Sequence, residues 1–332
     1  LGCGLGNGLA NLHNARKGRV PVVNIVGDHA TYHMPLDAQL QSDIETVARN
    51  VSPGFVRTSM RTQDLSRDAV DAIAAACSRP EQVATLILPA DVSWGEGGIP
   101  CSPPERSSPP AADAAVVATI ADAIRSGGKV ALLLGRHALR EPALLAAARI
   151  AAHSGVKLLA EVFPTRLERG AGLPPVERIA YLAELAGVQL AEFQHLVLVD
   201  AKAPVSFFAY PGKPSELVPA SCQLHTLSTP AEDAAASLLA LAEALCADHA
   251  APALQPAARP GRPRGGECLC LTPFIDAVMT AERATGRRRH LLLIDESGAD
   301  SQRCRIVDDE MQIRIKRIRN RGADAVADRD AI

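Results

Sequence analysis

Residues 129–162 read KVALLLGRHALREPALLAAARIAAHSGVKLLAEV, and the fold is decided there. Lys129–Leu134 reads as a strand, Glu141–Ser154 as a helix and Val156–Val162 as a second strand. The rhythm extends in both directions. A helix over Ala112–Arg125 precedes it, and a helix over Glu177–Leu185 leads to a strand at His195–Asp200. A strand at Gln223–Leu227 and a helix over Pro230–Cys246 close the segment. Alternation of this kind predicts an α/β protein whose parallel sheets carry helices on both faces.

Composition shifts divide the chain. Residues 1–98 form a first segment, with a helix over Gly6–Lys17 opened by a glycine turn and a continuous apolar strand at Pro21–Val26. A helix over Leu65–Ser78 presents Val70, Ile73, Ala74 and Cys77 on one face, and a buried strand follows at Ala84–Pro89. Gly95–Pro110 loses periodicity, so a linker is placed at 99–111 and a domain at 112–249. A second, proline- and arginine-rich linker spans 250–266. A third unit begins at 267–301 with a helix over Thr272–Thr285 and a strand at His290–Ile294, and 302–332 is assigned no fold.

The bulk numbers exclude several classes. With 332 residues the chain is long for one domain, and a net charge of −2 makes no electrostatic case for nucleic acid or a membrane surface. Apolar runs such as Val130–Leu134 and Leu291–Ile294 are too short to span a bilayer, and no signal peptide is visible. The eight cysteines include no CxxC pair and no Cys/His array with zinc spacing, so no metal ligands are predicted and a reduced, cytoplasmic protein is expected. The basic run Arg303–Arg321 lacks aromatics to stack bases, and Asp308, Asp309 and Glu310 offset its charge.

The glycine-rich start, Gly2-Cys3-Gly4-Leu5-Gly6-Asn7-Gly8, precedes a helix and permits two readings. Glycines let a backbone approach an anion at a helix N-terminus, and Asp28 stands where a dinucleotide fingerprint places its ribose-binding acid. The nicotinamide reading lacks a strand ahead of the glycines, and Asn7 takes the place of its third glycine.

The same residues resemble the pyrimidine-binding domain of thiamine-diphosphate enzymes of the acetolactate synthase type. There a Gly-Pro-Gly-x-x-Asn turn leads into a helix, then a strand and a Gly-Gln or Gly-Asp turn; this chain has LGCGLGNGLANLHNAR at 1–16 and VPVVNIVGDHATYH at 20–33. LILPADVSWGEG at 86–97 resembles the family's Pro-Ala-Asp-Val stretch that ends this domain. KVALLLGRHALREPALLAAARIAAHSGVKLLAEVFPTRLERGAG at 129–172 and LVLVDAKAPVSFFAYPGKPS at 196–215 look like the central domain shared with benzoylformate and pyruvate decarboxylases. LTPFIDAVM at 271–279 and LLLIDES at 291–297 resemble the opening of the diphosphate-binding domain.

The resemblance implies a truncated pyrimidine domain, a complete central domain and a stub of the diphosphate domain. It implies decarboxylation of a 2-oxo acid, carboligation as in branched-chain amino-acid biosynthesis, thiamine diphosphate with Mg²⁺, and a homo-oligomer. It further implies that the activating glutamate lies upstream of Leu1. The Gly-Asp-Gly…Asn-Asn magnesium motif does not occur, so this chain alone is expected to be inactive. Within the chain the resemblance points to Asp28, His29 and His33 as catalytic, the imidazoles serving proton transfer. Gly4, Asn7, Glu296 and Ser297 are the cofactor-binding candidates, with a helix cap the alternative and preferred reading of Asn7. His137, His153, His195 and His225 read as structural. Two alternatives accompany this reading: a non-catalytic remnant or interaction protein, and a nucleotide-binding protein holding FAD or ADP at Gly135-Arg136-His137.

Overall fold

A computed structural model describes residues 1–256 apart from 103, 106, 107, 248 and 249. The described residues fall within the unit Leu1–Pro263. The expected linker beyond 256, the helix over Thr272–Thr285, the strand at His290–Ile294, Glu296, Ser297 and the tail at 302–332 lie outside the described residues.

The fold is α/β, with two parallel sheets clothed by helices. The first sheet has three strands, β1 (Val22–Asp28), β2 (Val56–Thr58) and β3 (Val83–Pro89), with β3 in the middle. β3 is buried along nearly its whole length, as a central strand covered on both faces must be. On one face α1 (Gly2–Lys17) and α2 (Ile44–Val51) bring Leu5, Ile44 and Ala48 against Val26 and Ile87. On the other, α3 (Leu65–Cys77) packs Ala72 and Ala76 against Ala84 and Leu86.

The expected apolar face of α3 is corrected. Ile73 is exposed and Ala72 and Ala76 are buried, with Leu65 and Ala69 alongside them. Alanines at helical spacing let the helix axis approach the sheet, and the larger Ile73 is turned outward. The glycine turn before α1 is also absent: the helix runs from Gly2, its first bond closing from Leu5 N–H to Leu1 O at 3.1 Å. Burial of Leu5 in the core anchors this first turn despite the low helix propensity of glycine. α2, β2 and a short α4 (Ala90–Trp94), none of them anticipated from sequence, complete the layer.

The second sheet has five parallel strands: β4 (Val130–Leu134), β5 (Lys157–Ala160), β6 (Glu177–Arg178), β7 (His195–Val199) and β8 (Gln223–Ser228). Their spatial order is β6-β5-β4-β7-β8. α5 (Ala114–Arg125), α6 (Glu141–Ser154) and α8 (Ala234–Ala244) supply the larger core on one face, and α7 (Ala183–Leu190) the smaller on the other. Asp233 caps α8 by accepting hydrogen bonds from Ala235 N–H at 2.9 Å and Ala236 N–H at 3.0 Å. The helix expected over Glu177–Leu185 is instead a short strand followed by a later helix. Glu177 and Arg178 pair with β5, and Lys157 meets Glu177 at 2.6 Å on the sheet edge. Ile179 then buries in the smaller core, and α7 turns Ala186 and Leu190, four residues apart, into it.

Candidate functional site

Parallel strands deliver their loops to one end of a sheet, and ligands bind outside the carboxyl ends. At that end of the first sheet, Gly27 and Asp28 of β1 and Ala90 after β3 border an open cleft of about 410 Å³. His29, His33, Tyr32 and Trp94 form its other walls, with Leu1 at the rim. The loop that carries His29, Tyr32 and His33 is a tight turn in which His33 and Met34 N–H both donate to Ala30 O, at 2.8 and 3.1 Å.

Two carboxylates hold this turn. Asp28 Oδ1 accepts from the backbone N–H of His29 at 2.7 Å. Asp91, in the first turn of α4, accepts from the Thr31 N–H at 2.9 Å and from its hydroxyl. The Thr31 hydroxyl bond chiefly, helped by its N–H, lowers the Asp91 carboxyl below its ordinary value. The His29 and His33 rings stand 5.3 Å apart, centroid to centroid, tilted by 57°. His29 Nε2 is buried and has no hydrogen-bond partner among the described residues.

Asp28, His29 and His33 are therefore brought together. Gly4 and Asn7 are not. Both are exposed residues inside α1, and a Cβ on Gly4 would meet nothing within 4 Å, so no close approach requires a glycine there. Asn7 sits well inside the helix, where it cannot cap it. Unrecognised from sequence were Tyr32 and Trp94, large side chains 70% and 67% exposed, and Asp91, whose only signal was the Pro-Ala-Asp-Val stretch itself.

Successive strands of the second sheet are added to one side of β4 as far as β6 and then to its other side from β7, and the switch between β4 and β7 is the position where open parallel sheets take nucleotides. Here that crevice is occupied by protein. Arg136, immediately after β4, directs its guanidinium to Glu81 Oε2 at 2.6 Å, Arg19 O at 3.2 Å and Asp200 Oδ1 at 3.5 Å. His137 Nε2 is 2.8 Å from Glu81 Oε1, and the His137 backbone N–H donates to Asp200 Oδ2 at 3.1 Å. The side chain that a phosphate-binding reading needs is thus committed to carboxylates. Burial pushes Glu161, at the end of β5, up to about 7, against the Arg136 N–H bond and helped by the Asp200 charge. Burial also raises Asp200. Glu81 behaves oppositely: burial opposes its ionisation, but hydrogen bonds from His137 and Arg136 hold it at about 2. Arg79 Nη1 to Glu232 O at 2.7 Å and the Thr165 hydroxyl to Gly18 O at 3.0 Å extend this joint between the two sheets.

Among the described residues no cluster of three or more His, Cys, Asp or Glu could hold a metal ion, and no helix is long and apolar enough to cross a membrane. Cys3, Cys101, Cys222 and Cys246 are free thiols.

No family model matches the chain. It is 49% identical over 303 residues to a Mycobacterium tuberculosis protein named as an acetolactate synthase large subunit, IlvX, covering 90% of this chain and 55% of that protein. A thiamin diphosphate-dependent enzyme from Mycobacterium smegmatis superposes with a TM-score of 0.63 at 21% identity, over 76% of this chain and 52% of that one. Benzoylformate decarboxylase from Polynucleobacter necessarius gives 0.59 at 20% identity, over 72% and 48%. The 4-hydroxybenzoylformate decarboxylase of Rhodococcus jostii gives 0.61 at 16%, over 79% and 52%. The chain spans about half the length of each. Over the portion it spans, this chain is a homologue of that Mycobacterium tuberculosis protein and shares the fold of these three solved enzymes.

Proposed function

We propose that the chain forms the pyrimidine-facing wall of a thiamine-diphosphate site that decarboxylates a 2-oxo acid, with transfer of the resulting acyl unit to a second carbonyl. In this reading the three-stranded sheet is the pyrimidine-binding domain and the five-stranded sheet the central spacer. The observation that carries it is His29, which lines a cleft at the carboxyl ends of β1 and β3 and whose buried Nε2 has no partner among the described residues.

That orphaned nitrogen suits a heteroaromatic edge bearing donors and acceptors, so the described residues fit the pyrimidine end of the cofactor. They hold no oxygen-rich cluster for Mg²⁺ and a diphosphate, and that end of the cofactor is assigned to no described residue. When bound, the cofactor supplies the electron sink for carbon–carbon cleavage. Asp28 fixes the start of the His29 turn, and Asp91 fixes its middle through Thr31. His29 Nε2 then holds or releases a proton toward the cleft, with the His33 ring beside it. Tyr32 and Trp94 offer large aromatic faces on the cleft walls against which a substrate packs.

Calorimetric titration of the full chain with thiamine diphosphate and Mg²⁺ tests this. Saturable binding that needs both components, and that weakens in His29→Ala, supports the reading, and turnover of pyruvate and benzoylformate then identifies the acid accepted. Absence of heat at millimolar cofactor rejects it in favour of a non-catalytic interaction protein. A homo-oligomer belongs to the same proposal and is read by analytical ultracentrifugation.

A further inference from the structure

The two histidines of the β7–β8 edge stand in a geometry that a metal ion can use. In the parallel register His195 lies opposite Gln223, and Val197 opposite His225. His195 and His225 therefore share one face of the sheet, a diagonal step apart. Their nitrogens, Nδ1 of His195 and Nε2 of His225, are 3.1 Å apart, with ring centroids at 5.2 Å and planes tilted by 40°.

We propose that His195 and His225 form a bidentate site for a borderline divalent transition-metal ion of the Ni²⁺, Cu²⁺ or Zn²⁺ class. Imidazole nitrogens bind such ions at about 2.0–2.1 Å, so a pair 3.1 Å apart spans an angle of about 100° at the metal, within the range of adjacent ligand positions. In the metal-free protein one ring donates its N–H to the other. On binding, that ring carries its proton on its other nitrogen, exchanged through solvent, and both metal-facing nitrogens present lone pairs. No proton is lost overall.

Position makes the pair a better chelate than two flexible surface histidines. Both residues sit on hydrogen-bonded strands and are half-buried, so little side-chain freedom is lost on binding. All-nitrogen donation selects against Mg²⁺, which requires oxygen ligands. No third protein ligand stands nearby among the described residues, so water completes the coordination. The site belongs to the second sheet and is independent of the cleft beside His29.

Titration of the full, chelator-stripped chain with Ni²⁺ alone at pH 7.5 tests the proposal, nickel being chosen because imidazole suits it while the free thiols complicate copper. One ion is expected to bind to the wild type and to the His29→Ala/His33→Ala variant alike. His195→Gln and His225→Gln are each expected to weaken binding roughly tenfold or more, since loss of a ligand costs at least what loss of a ligand's supporting hydrogen-bond partner does. Paramagnetic broadening by Ni²⁺ of the His195 and His225 ring signals in the wild type gives a readout that needs no variant to fold. No binding, binding unchanged in both variants, or broadening confined to other histidines overturns the proposal.

Discussion

Arg136 Nη2 meets Glu81 Oε2 at 2.6 Å, and the two side chains are only 11% and 10% exposed. This pair joins the loop after β4 to the residues leading into β3, and so couples the sheet with the cleft to the sheet beside it. Arg136 adopts a left-handed backbone, φ +36°, which a non-glycine residue holds only when its surroundings compensate. Glu81, Asp200 and Arg19 O supply that compensation.

Removing the arginine leaves two carboxylates in a largely dry joint. Arg136→Ala is expected to destabilise the chain by about 3–5 kcal/mol, the usual cost of breaking one side of a buried pair. Urea unfolding at pH 7 measures it, and a loss below about 1 kcal/mol would show that the joint does not depend on this contact.

Glu161 gives the joint a pH dependence of defined sign. Its folded value of about 7 lies above the ordinary 4.5, so between these two pH values the folded chain holds a proton that the unfolded chain has released. Stability from this group is fully present below pH 4.5 and falls as pH rises toward 7. The fall is on the order of 3 kcal/mol. Glu161→Gln is expected to flatten that slope and to raise stability at pH 8 relative to the wild type. Glu81 acts in the opposite window, its contribution being lost as pH falls from 4.5 to about 2. Unfolding curves at pH 5 and pH 8, both above the Glu81 window, isolate Glu161 when wild type is set against variant, and parallel pH profiles would sink the assignment to Glu161.

Gly135 is required by space. A Cβ there would lie 2.4 Å from Asp200 O and 3.1 Å from the Cα and Cβ of Ala201, close neighbours that include backbone unable to rotate away. Gly135→Ala is expected to cost about 1–3 kcal/mol through overpacking and to lower the melting temperature. An unchanged melting temperature would mean that β4 and β7 separate more readily at their carboxyl ends than their hydrogen bonds imply.

His29 is the residue on which the proposed chemistry turns. If the chain turns over a 2-oxo acid, His29→Ala is expected to lower kcat by about 10²-fold or more while the fold is kept, since loss of a positioned proton-transfer group has that scale. Equal kcat would remove His29 from the chemistry.

Much of the molecule was legible in the order of its residues. The apolar runs at Val130–Leu134 and His195–Val199 and the alanine-rich helix Glu141–Ser154 announce a parallel sheet, because period and length leave little other way to bury them. Asp28, His29 and His33 were legible together because all three sit in one short turn after β1. Local pattern failed where tertiary contacts overrode it. Gly2–Gly8 reads as a turn yet is helical, held by Leu5 in the core. Glu177–Arg178 reads as helix but completes the sheet, because β5 offers an unpaired edge. Ile73 looks like core but is displaced by alanines that allow closer packing. Long-range meetings left no mark in the sequence at all: Glu81 with Arg136, His195 with His225, and Trp94 beside His29 lie 55, 30 and 65 positions apart. Sequence alone determined the strand–helix rhythm from β4 to α6 and which residues cluster after β1, since these follow from local periodicity. Only the tertiary structure decided which side chains meet across elements, since packing and the pairing of buried charges are settled between segments that no local pattern connects.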